Sequence, residues 1–183
     1  MGRWVLLALA GVLAAGCGGK GANGPGREYP PYTGHPVDLF DDGIDAVAVG
    51  YQLEAGPPPA TDAKLRERVQ TGDAILRARV VTVTSKKEDN GRSWQLGLHA
   101  LGVLAGTAPP PDDFTLDVES TDPGAGTVKA FEANLVGATF VVAVRTFARP
   151  GAPGESDMHF HLSADKADVL DAVKQAALLQ QVH

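Results

Sequence analysis

The chain has 183 residues, with 16 Lys and Arg against 22 Asp and Glu and a formal charge of −6. That length fits one domain plus appendages. The acidic balance repels phosphate backbones and argues against nucleic-acid binding. A single cysteine, Cys17, leaves no partner for an intrachain disulfide.

Arg3 precedes an unbroken apolar run from Trp4 to Ala15, and small residues lead into Cys17 as Leu13-Ala14-Ala15-Gly16-Cys17. The run is too short for a permanent bilayer span, which needs about 20 residues. A positive start, a short apolar stretch and small residues before the cut are the marks of an export signal. The segment resembles the signal peptide of a bacterial lipoprotein, with a lipobox that closes on Cys17. The family usually has Leu three residues before the cysteine, where this chain has Ala14, and Leu13 sits one place earlier. The resemblance implies removal of residues 1–16, a thioether-linked diacylglycerol on the Cys17 thiol, and acylation of the new amine. Anchoring by several acyl chains is then effectively irreversible. It also implies a cell-envelope protein. Gly18 follows the cysteine instead of the Asp that retains such proteins in an inner membrane, which favours an outer membrane and a periplasmic domain.

Residues 17–36 are rich in Gly and Pro and read as the lipidated cysteine and a flexible tether. Tyr29-Pro30-Pro31-Tyr32 is read as spacer, with a polyproline-type docking segment as the alternative. Residues 37–72 are expected to form an acidic loop and a short helix leading into the domain. Asp38, Asp41, Asp42 and Asp45 lack the alternate spacing of a calcium loop, so a solvated loop is the default. Thr61 or Asp62 can cap a helix to about Gln70, with Leu65 and Val69 on one face.

From Asp73 the apolar period becomes two, as Leu76, Ala78 and Val80 alternate with Arg77, Arg79 and Val81. Asn90-Gly91 marks a hairpin turn. The return strand carries Trp94, Leu96 and Leu98 on one face and continues to Leu104, with a bulge at Gly102. Phe114, Leu116 and Val118 mark a third strand, and residues 128–135 read either as a short helix or as an irregular crossover. The apolar run 139–147 is a central fourth strand. Met158, Phe160 and Leu162 form the inner face of a fifth, and His159 and His161 face outward. Ser163 is expected to cap a last helix over 164–181, with Leu170, Val173 and Ala177 as its core stripe and Val169 and Leu178 widening it.

These elements predict a mainly β (α+β) domain over 73–183: a small five-stranded antiparallel barrel with a short helix before it and a C-terminal helix. Residues 73–147 are similar to an oligonucleotide/oligosaccharide-binding (OB) barrel of the netrin-like, metalloproteinase-inhibitor kind. The likeness rests on the long first strand, Gly-Val-Leu-Ala-Gly at 102–106, the strand at 114–119 and Gly-Ala-Thr-Phe-Val-Val at 137–142. The cysteines of the animal modules are missing, so the resemblance implies the barrel alone.

No catalytic motif is present, and no cofactor is expected. His159 and His161 are the metal candidates, with His99 or Asp157 as a third ligand. Arg77, Arg79 and Arg145 read as surface residues paired with Asp117 or Glu119, with a basic strip for an acidic partner as the alternative. Two functions are open: a non-catalytic binding or structural lipoprotein meeting an envelope protein or glycan, and a metal-binding envelope protein using His159 and His161.

Overall fold

The computed structural model describes residues 28–51, 57–88 and 91–180; Cys17 and the segment before residue 28 lie outside them. The elements run α1 (His35–Leu39), β1 (Gly43–Ile44), α2 (Ala63–Thr71), β2 (Ala74–Glu88), β3 (Gly91–Gly106), β4 (Asp113–Val118), α3 (Pro123–Leu135), β5 (Thr139–Ala148), β6 (Ser156–Ala164) and α4 (Ala167–Gln180). The fold is mixed α+β and dominated by one six-stranded sheet in the order β1-β6-β5-β2-β3-β4, curled into a half-barrel. All five expected strands are present. The sheet differs from the expected wholly antiparallel one through β1, two residues long, which pairs in parallel with His161 and Leu162.

Curvature is built into the long β2–β3 hairpin. Its register shifts three times, between Ile75 and Leu76, Arg77 and Ala78, and Val80 and Thr82. Each bulge bends and twists the ladder. One of them falls opposite Gly102 and Ala100, beside the glycine that the sequence marked.

Side chains alternate across the pleat, so the sheet buries both faces. The concave face holds Leu76, Val80, Trp94, Leu96, Leu98, Leu116, Phe140, Val142, Phe160 and Leu162, closed by Val128 and Leu135 of α3. The opposite face holds Ile75, Val141, Ala143 and Phe147 under Leu39 and Phe40, Leu65 and Val69 of α2, and Val169 and Val173 of α4. Burying each large apolar side chain contributes about 1.5–3 kcal/mol, which makes these two layers the main source of stability.

Asp62 caps α2 by accepting from the Lys64 amide at 2.9 Å. The 128–135 segment is helical, and helix α3 starts before it at Pro123, because proline suits the first helical turn. Ser163 is not a cap. β6 runs through Ala164, Ser163 is buried in the strand, and α4 begins only at Ala167. The buried stripe is Val169, Ala172, Val173 and Ala176, with the expected Leu170 and Ala177 packed partly buried beside it, whereas Leu178 is 62 % exposed.

The tether reading also changes at its domain end. Ala148 donates its amide to Pro30 at 2.9 Å, Pro31 forms an isolated parallel bridge with Ala148, and Tyr32 packs on the core around Phe147.

Candidate functional site

The richest polar cluster lies where the 40–45 segment crosses the outer edge of β6. Asp42 occupies a positive-φ position (52°) and is only 7 % exposed. Its amide donates to the Phe160 carbonyl at 2.9 Å, and its Oδ1 accepts the Phe160 amide at 3.0 Å. Its other oxygen is 2.6 Å from Nδ1 of His159. One residue earlier, Asp41 lies 2.8 Å from Nδ1 of His161, whose Nε2 is 3.5 Å from Asp45.

The two histidines therefore share one strand face, as their spacing predicts, but they do not face solvent. Their side chains are 21 % and 12 % exposed. The acidic loop is correspondingly not a solvated one. Asp41 and Asp42 turn inward onto the histidines, Asp45 reaches His161 from an exposed position, and Asp38 is exposed, 3.8 Å from His35.

Arg68 completes the cluster from α2. It is 5 % exposed and donates Nε–H to the Leu39 carbonyl at 2.6 Å. Burial depresses its pKa below the usual arginine range, against the pull of Asp41, Asp45 and Asp62. Burial pushes Asp41 up, but the hydrogen bond and charge of His161, with Arg68, outweigh it and hold the carboxyl below its ordinary value. His161 is the mirror case. Burial works against its charged form, and the hydrogen bonds to Asp41 and Asp45 raise it overall.

Tyr32 covers the second histidine. Its ring stacks on His159 with centroids 3.6 Å apart and planes 10° from parallel, and its hydroxyl donates to the Phe40 carbonyl at 2.5 Å. Burial, with Asp42, Asp41 and Asp122 nearby, drives its pKa far above the ordinary phenol value. Beside His159 opens a cavity of about 350 Å³, lined by Asp42, Asp117, Glu119, Asp122, Arg149, Asp157 and Met158. Asp122 accepts the Glu119 amide at 2.6 Å, and burial raises its pKa with help from Asp42 and Glu119.

The other ligand candidates lie elsewhere or are engaged. His99 pairs with Asp113 at 2.7 Å on the β3–β4 ladder, and Asp157 binds Arg149 at 2.9 Å. Among the described residues, no three His, Cys, Asp or Glu side chains are grouped to hold a metal ion. Of the arginines, Arg77 makes a two-pronged pair with Asp165 (3.0 and 2.6 Å), not with Asp117 or Glu119. Arg145 lies over the Phe147 ring at 5.2 Å. Asp117 instead accepts from Gln95 at 2.9 Å.

Arg68 has no site role in the sequence reading; Asp41 and Asp42 enter it only in the acidic loop set aside as a calcium site, and Tyr32 only in the docking-segment alternative. The one sequence signal was the Asp41-Asp42 doublet, whose partners lie 120 and 117 residues away. Lipidation at Cys17 falls outside the described residues. No protein-family model matches the chain, and no curated protein matches it.

Proposed function

We propose that the chain is a membrane-anchored envelope lipoprotein, held by lipid on Cys17, whose domain is a non-catalytic binding or structural module. The observation that carries the non-catalytic part is how the cluster is spent. Asp41 and Asp42 answer His161 and His159, while Asp157 and Asp165 answer Arg149 and Arg77, all within the one fold. An Asp–imidazole pair is no catalytic constellation by itself; that also needs a nucleophile beside the imidazole and a place for the reacting atom, and the chain carries no such motif. These groups are instead engaged in holding loop, helix and sheet together.

The strand order supports an OB-like reading of the half-barrel. A β2-β3-β4 meander is followed by α3, then β5 returns beside β2 and β6 adds outside it. Such barrels present a sheet face and loops to extended partners. An envelope protein or glycan is the partner class proposed, with the domain in the periplasm on an outer membrane.

The test is metabolic labelling with a clickable fatty acid. Wild type takes up label and is processed, and Cys17→Ser does neither; label retained in Cys17→Ser refutes the anchor. Crosslinking in intact cells then identifies the partner. The metal-binding alternative draws on the Nδ1 atoms of His159 and His161, each held by a carboxylate, an arrangement that orients imidazole ligands in metal sites. Stoichiometric metal in the purified protein, lost in His159→Ala/His161→Ala, establishes that alternative instead.

A further inference from the structure

We infer that residues 28–33 form a detachable strap, docked through Tyr32 onto the Asp42–His159 pair and hinged at Gly34, that sets how far the domain reaches from its anchor. The inference rests on the proposed lipid at Cys17.

The strap's backbone joins the sheet at Ala148, through the 2.9 Å bond to the Pro30 carbonyl and the bridge at Pro31. Pro30 and Pro31 carry no N–H, so neither can donate to extend that pairing into a ladder. Tyr32 supplies the packing: the stack on His159, a tilted contact with Phe147 at 5.0 Å, and the hydroxyl bond to Phe40. Pro30, Pro31 and Thr33 are exposed.

Immediately after the strap, Gly34 adopts φ 68° and ψ −143°, a region open essentially to glycine, with nothing within 4 Å of where a Cβ would stand. Beyond it, Leu39 and Phe40 are 2 % and 0 % exposed, so the chain passes within a few residues from a segment with four of its six residues exposed to the core. Segments with few buried contacts open locally at far lower free energy than the whole fold.

Opening changes reach. From Cys17 to Glu28 the extended chain spans at most about 40 Å, and from Cys17 to Gly34 about 60 Å. Docking therefore shortens the leash by about a third and fixes where it leaves the domain, beside the end of β5.

Native-state hydrogen exchange on the full chain carrying Cys17→Ser tests the strap without its lipid. The amide of Ala148 reports strap docking, and that of Val144, mid-strand in β5, reports the fold. Ala148 is expected to exchange through an opening of lower free energy and weaker urea dependence than the one that exposes Val144, and Tyr32→Ala to speed it about tenfold, with Tyr32→Phe, which keeps the stack, speeding it less. An opening free energy and urea dependence at Ala148 equal to those at Val144 make the strap an integral part of the fold and overturn the inference. No change at Ala148 in Tyr32→Ala overturns it too. Fatty-acid labelling of the wild-type chain decides the anchor independently.

Discussion

Asp41→Asn removes the charge opposite His161 while keeping the side chain's size and an oxygen for the Gly43 amide, which Asp41 now accepts at 3.1 Å. Breaking a fully buried ion pair costs about 3–5 kcal/mol. Here the Asp41 side chain is 27 % exposed, and Asp45 remains 3.5 Å from the ring. Those two features reduce the expected loss to about 2–3 kcal/mol, the range of a hydrogen bond to a charged group. In a domain of this size that is a drop of roughly 5–10 °C in Tm. The effect depends on pH, and its sign follows from the two shifts. His161 is raised above its ordinary 6.5, so its contribution is complete below 6.5 and is lost as pH rises through the raised folded value. Asp41 is lowered from 3.8, so its contribution is complete above 3.8 and is lost as pH falls through the lowered folded value. Asp45 and Arg68 also face this pair, and Arg68 stays charged across the range. The gap between wild type and Asp41→Asn is therefore widest from about pH 4 to 6.5 and shrinks toward about 1 kcal/mol once His161 is neutral. Urea unfolding of both proteins from pH 3 to 9 measures it. An Asp41→Asn deficit of equal size at pH 5.5 and pH 9 refutes the ion-pair reasoning.

Gly124→Ala places a Cβ 2.4 Å from the Asp42 carbonyl oxygen, which accepts the Gly124 amide at 3.1 Å. Forcing these backbones apart costs about 1–3 kcal/mol by denaturant unfolding and shifts the His159 ring resonances in the same sample. Phe160→Ala empties a site with 0 % exposure in the concave core and lowers stability by about 3–5 kcal/mol in urea. Arg77→Ala breaks a two-pronged pair whose Asp165 side chain is only 14 % exposed, and lowers the urea midpoint by less than Asp41→Asn does.

The apolar half of the fold is legible because burial on a strand repeats every second residue. Trp94, Leu96 and Leu98, or Phe114, Leu116 and Val118, announce a core face from their own spacing, and all six are buried. The strand count needed more than period. Gly43–Ile44 is two residues long and has no pattern to detect; it becomes a strand only because Asp42 and Asp45 hold the backbone against Phe160 and Leu162. Ser163 misled for a related reason. Ser before an apolar-periodic run is a cap signal, but Leu162, Ser163 and Ala164 are wanted by the sheet, and tertiary pairing with Phe140, Val141 and Val142 prevails over local preference.

The histidines show where a single-strand reading stops. Alternation in β6 correctly separates Met158, Phe160 and Leu162 from His159 and His161, but it assigns sides, not environments. A polar side is solvent-facing only in a sheet covered once. This sheet is covered twice, by α3 on the concave side and by α1, α2 and α4 on the other, so the polar side of β6 is interior as well. An interior imidazole needs a partner, and the cheapest source is the chain that already crosses the strand edge to form β1. Asp41 and Asp42 are adjacent in sequence, so one crossing serves His161 and His159 together. That crossing also sets Phe40 beneath Tyr32, which joins the carboxylate–imidazole cluster to the strap. The polar cluster is thus the joint between the domain and the segment leading to Cys17. Its consequence is specific: Asp42→Asn, at the stacked histidine, should loosen the strap at Ala148, and Asp41→Asn, at the unstacked one, should lower stability without doing so.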